Sequence, residues 1–85
     1  MSTRVLNGYT VVAYATQPEG RIPPRAFIET TPQKVEEGQE AEPQAFEIFT
    51  TRRFRSTVEA MSAARNALAA VQAVGEDGIP EPLPQ

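Results

Sequence analysis

STVEAMSAARNALAAV, residues 56–71, is the stretch that decides the fold. Ser56-Thr57-Val58-Glu59 fits a capping box, in which the serine hydroxyl accepts a free backbone N–H and the glutamate reaches back to the cap. Alanine follows at 60, 63, 64, 67, 69, 70 and 73, and alanine forms helix best because it has no side-chain entropy to lose. Val58, Met61, Ala64, Leu68 and Val71 recur at spacings of three and four, which predicts one apolar face. Gly75 is the expected stop, since a helix end often needs a left-handed residue.

Upstream of this helix the period changes from helical to alternating. YTVVAYAT (9–16) is β-branched and aromatic and predicts a strand. Tyr9, Val11, Ala13 and Ala15 fall on one face, and Thr10, Val12, Tyr14 and Thr16 on the other. QPEGRIPP (17–24) then supplies a turn at Pro18 and Gly20 and an extended approach at Pro23-Pro24. RAFIETT (25–31) predicts a second strand, with Ala26 and Ile28 opposite Phe27 and Glu29. PQKVEEGQEAEP (32–43) has Val35 as its one large apolar residue, too little to offset the entropy of ordering, and predicts a long mobile loop. AFEIFTT (45–51) predicts a third strand, with Phe46 and Ile48 on one side and Glu47 and Phe49 on the other. The predicted fold is therefore α+β: a three-stranded antiparallel sheet with one C-terminal helix packed on one face, in the order β-β-β-α. Residues 8–75 form the single small domain, and 76–85, ending in IPEPLPQ, form a Pro-rich extended tail.

Composition narrows the function. At 85 residues the chain supports one modest core. It has no cysteine and no histidine, so disulfides, zinc sites and Ser–His or Cys–His pairs are all excluded. Its 5 glycines are scattered and form no phosphate loop. A non-catalytic protein without cofactor or metal is the expectation, with oligomerisation as the remaining way to supplement a small core. The formal net charge of −3 is not the balance of a nucleic-acid binder. No apolar run is long enough for a membrane span, and MSTRVLNGYT lacks the apolar core of an export signal. A cytoplasmic location is the default expectation.

Two candidate sites follow. Arg52, Arg53 and Arg55 lie just ahead of Ser56 at the helix N-terminus, where free N–H groups and guanidinium forks suit a phosphate or nucleic acid. The alternative is that they pair with Glu29, Glu47 or the acidic loop, or face water. One helix covers only one face of a sheet, so Val12, Tyr14, Phe27 and Phe49 are expected on the uncovered face as a protein interface, in a homodimer or against another protein. Glu36, Glu37, Glu40 and Glu42 lack the Asp and Asn ligands of a calcium loop and are expected to be solvating.

RFRSTVEAMSAARNAL (53–68) resembles the last motif of double-stranded-RNA-binding domains, with Ser56, Ala60, Ala63, Ala64, Ala67 and Leu68 in corresponding places. The paired lysines that contact RNA phosphates in that family are replaced by Thr57 and Val58, and its first helix is missing. The β-β-β-α order with STVEAMSAARNAL opening the helix is also similar to HicB-type antitoxins, without the Gly–Cys segment of their third strand. These likenesses imply nucleic-acid binding through the arginine cluster as the alternative to a self-associating interaction module.

Overall fold

A computed structural model describes residues 2–16, 23–33 and 42–84. Four strands form one antiparallel sheet: β1 (Ser2–Leu6), β2 (Tyr9–Ala15), β3 (Ala26–Pro32) and β4 (Gln44–Ile48), lying side by side in chain order. Helix α1 (Thr57–Ala70) packs chiefly on β2 and β3. Two short strands, β5 (Ala73–Val74) and β6 (Pro80–Glu81), close a separate hairpin.

The sheet thus has four strands where three were expected. The added one is β1, joined to β2 by Asn7-Gly8, whose φ angles of 54° and 81° are both left-handed. That is the two-residue hairpin turn whose twist matches that of the flanking strands, and Asn-Gly is its preferred sequence. Leu6 pairs with Tyr9 and Arg4 with Val11 across the turn. The region ahead of the first expected strand is therefore part of the sheet.

Alternation along β2 and β3 holds as expected. Val11, Ala13, Ala26, Ile28, Thr30 and Ile48 are buried beneath the helix layer. Ala60, Ala63, Ala64, Ala67 and Leu68 are the helix residues that meet them. Alanine on both surfaces brings the layers close, so van der Waals contact is made by methyls and backbone. The buried helix face differs from the expected stripe at one end: Val58 is 76% exposed. Its neighbour Ala60 is buried instead, because the stripe rotates toward the small residues that fit against the sheet.

Ser56 caps the helix as expected, its Oγ accepting the Glu59 N–H at 3.1 Å. The Glu59 carboxylate turns to Arg52 Nη2, 3.7 Å away. The helix stops before Gly75. Val71 leaves it in extended conformation, and its N–H bonds the Leu68 carbonyl. Arg4 supplies the C-terminal partner: its Nη1 donates to the carbonyls of Leu68 at 2.7 Å and Val71 at 2.8 Å. A cation there also complements the negative end of the helix dipole.

The last residues, expected as an extended tail, fold back. Gln72 N–H donates to the Glu81 carbonyl and Gly75 N–H to the Ile79 carbonyl. Four side chains tie this hairpin to the end of the sheet. Thr30 Oγ1 donates to the Gly78 carbonyl at 2.7 Å, Tyr9 to Glu76, Gln44 to Asp77, and Asn7 Oδ1 accepts the Val74 N–H. Pro80 is buried and Leu83 packs against the core. Proline repels helix but not burial, so a Pro-rich stretch with apolar residues at intervals can still dock. The predicted turn at Pro18 and Gly20, and most of the predicted 32–43 loop with Glu36, Glu37 and Glu40, lie outside the described residues.

Candidate interaction surfaces

The sheet face turned away from α1 is built by strand register. Tyr14 stands directly opposite Phe27, Val12 opposite Glu29, and Phe27 opposite Glu47. From the other edge, Thr3 faces Val12 and Val5 faces Thr10. The Tyr14 and Phe27 rings stack with centroids 5.2 Å apart and planes 12° from parallel. Such a pair holds both rings rigid at little entropic cost on binding. Val5 is 59% exposed, and Val12, Tyr14 and Phe27 are half-buried. Both α1 and the C-terminal hairpin pack on the opposite face. Burial, and secondarily the Glu29 carboxylate, holds the Tyr14 phenol above the usual tyrosine value.

Phe49, expected on this same face, is elsewhere. It follows β4 in left-handed conformation, with φ of 54°. Side chains alternate only while the backbone stays extended, and this residue ends the extension. Its N–H donates to the Pro84 carbonyl and its carbonyl accepts the Arg52 N–H. Its ring packs against the core and meets Phe54 edge-on, with centroids 6.1 Å apart.

The three arginines have different surroundings. The Arg52 guanidinium lies over both rings, 5.6 Å from the Phe49 centroid and 4.9 Å from that of Phe54. Together with Glu59 these rings hold it in place. Arg53 and Arg55 are exposed. Ser56 Oγ already occupies the Glu59 amide at the helix N-terminus. Arg25, which drew no attention in the sequence, pairs with Glu47 at 3.4 Å. It lines one cleft with Arg52 and Arg53, between the Pro23-Pro24 approach and the turn at 49–54.

Arg4 and Arg25 are thus the charged residues that sequence reasoning missed. Asn7-Gly8 was the available signal for Arg4: it predicts a hairpin, and a hairpin places Arg4 on the helix-facing side by alternation. Nothing local signals Arg25, whose role depends on β3 lying beside β4. Among the described residues no group of three or more acidic side chains could hold a metal ion, and no helix is long and apolar enough to cross a membrane. No family model matches this chain, and neither does any curated protein or solved structure.

Proposed function

We propose that this chain is a small, non-catalytic interaction module that self-associates through the face of its sheet opposite the helix. The observation that carries this reading is the stacked Tyr14–Phe27 pair flanked by Val12 and Val5 on a face that the helix leaves uncovered. Aromatic residues fixed in place are the usual anchors of protein interfaces. The residue inventory favours binding over catalysis, since neither histidine nor cysteine is present.

A second copy is the occupant that fits. Two such faces stacked about a two-fold axis would make a sheet sandwich, with each stacked pair meeting its own image. Arg25, Glu29 and Glu47 border the same face, so a copy brings both signs of charge to its partner's rim. Four strands spaced ~4.8 Å apart and about 20 Å long give a footprint of roughly 400 Å² per copy. That is at the low end of specific interfaces, where complexes are weak and transient. The dimer should therefore form reversibly with concentration.

Sedimentation velocity over a concentration series tests this directly. The weight-average mass should rise toward twice the monomer value. Tyr14→Thr with Phe27→Thr should hold it at the monomer value, since threonine keeps strand propensity while removing the rings. A wild-type chain that stays monomeric throughout, or a double variant that associates equally well, refutes the reading.

A further inference from the structure

The geometry points to a second site, at the border of the sheet face: we infer that the cleft holding Arg25, Arg52 and Arg53 binds the phosphoryl group of a small molecule. The cleft has a volume of about 220 Å³. It brings together the end of the Pro23-Pro24 approach, the last residues of β4 and the turn that follows. Its donors are three guanidinium groups and the hydroxyls of Thr50 and Thr51; among the described residues its carboxylates are Glu47 in the lining and Glu59, which pairs with Arg52. This leaves a local excess of positive charge on a chain whose net charge is −3.

Two of the three guanidinium groups, on side chains 60% and 50% exposed, have partners that favour one orientation. Arg52 is fixed by the rings of Phe49 and Phe54 and by Glu59. Arg25 is held through its Nε by Glu47 Oε1, which leaves its terminal nitrogens to act as a fork. A fork of this kind matches phosphate oxygens in pairs. To the extent that these partners bias the side chains before binding, less rotamer entropy is lost when a ligand arrives. Arg53 is exposed and has no ion-pair partner among the described residues, so it can close over the ligand. The left-handed Phe49 is what brings β4 and the turn into this arrangement, and backbone strain of that sort often accompanies function.

Size and charge choose the ligand class. The cleft is smaller than the roughly 300–1,000 Å³ that encloses a drug-sized molecule, so it takes a head group and leaves the rest outside. A polyanion would extend beyond the cleft over a chain whose net charge is −3. A single phosphoryl group senses mainly the charges within a screening length of about 8 Å. A nucleoside diphosphate or a sugar phosphate meets these conditions, as does inorganic phosphate.

The test is amide and arginine side-chain NMR of the full chain, titrated with inorganic phosphate, ADP and, at matched ionic strength, sodium chloride. Saturable shifts confined to Thr50, Thr51, Arg53 and the side-chain signals of Arg25 and Arg52 are expected for ADP, with a dissociation constant near or below about 1 mM. Arg53→Ala touches neither ring of the Phe pair and should weaken binding about tenfold, the worth of one charge-assisted contact. Arg25→Gln should do likewise. A stronger response to ADP than to phosphate identifies an ester ligand; equal responses identify the free anion. Shifts no different from those in chloride overturn the inference, and so do shifts that survive both substitutions. A salt-sensitive response to duplex RNA or DNA in place of the small phosphates overturns it in favour of a nucleic-acid partner.

Discussion

Arg4 shows how much one side chain can decide. Its guanidinium reaches from an edge strand to the Leu68 carbonyl in the last turn of α1 and to that of Val71 just beyond it, where carbonyls lack the i+4 amide of a regular helix. It therefore joins the first strand to the far end of the helix. Arg4→Ala should destabilise the fold by about 1.5 kcal/mol, the usual worth of a hydrogen bond from a charged donor, read as a lower melting temperature. Amide exchange should quicken at the C-terminal turn of α1 and leave the Ser56 end unchanged. Equal protection at both ends in the variant would show that the helix does not need this cap. Phe49 makes the complementary point. Its sequence context is strand-like, but its left-handed backbone redirects the ring into the core. Alternation could not foresee this, since it describes only extended chain.

Among the elements, α1 was the most legible, because capping and alanine content are local properties. Its N-terminal cap is where the sequence places it; its end is not, because that depends on Arg4 and on the hairpin beyond. The β5–β6 hairpin was illegible for the same reason. Its two-residue strands carry no period, and it is held by contacts to residues more than thirty positions away. Thr30 is the buried member of that set. Thr30→Val keeps the shape but leaves the Gly78 carbonyl without its donor, which should cost about 1–3 kcal/mol. Hydrogen exchange at Gly75 and Gly78, whose amides close the hairpin turn, should accelerate more than in α1. Unchanged exchange there would mean that the hairpin is anchored by the packing of Pro80 and Leu83 instead.

For the molecule as a whole, Tyr14 ties stability to pH and, in the proposed dimer, to association. Its phenol is held above the usual tyrosine value by burial and then by Glu29, so the folded state favours the neutral form. A group whose folded value is raised contributes stability that is fully present below the unfolded value, near 10. That contribution disappears as pH climbs through the higher folded value. Wild-type stability should therefore fall more steeply above pH ~10 than that of Tyr14→Phe, measured by urea denaturation across the range. The proposed dimer should dissociate over the same window, because the phenolate adds a second negative charge beside Glu29 on the shared face. Parallel pH profiles for wild type and Tyr14→Phe would disconnect this residue from both properties.

Local physics determined the α+β class, the start of the helix, and the faces of β2 and β3. Capping, alanine propensity and period-two alternation act over a few residues, so they can be read in order along the chain. The Asn7-Gly8 turn belongs with these, since its signal is as local as theirs. The tertiary structure alone decided which alanines face the sheet, where Phe49 points, that Arg25 joins Arg52 and Arg53 in one cleft, and that the Pro-rich end docks. Each of these depends on residues brought together from distant parts of the chain, where packing and hydrogen-bond satisfaction outweigh local preference.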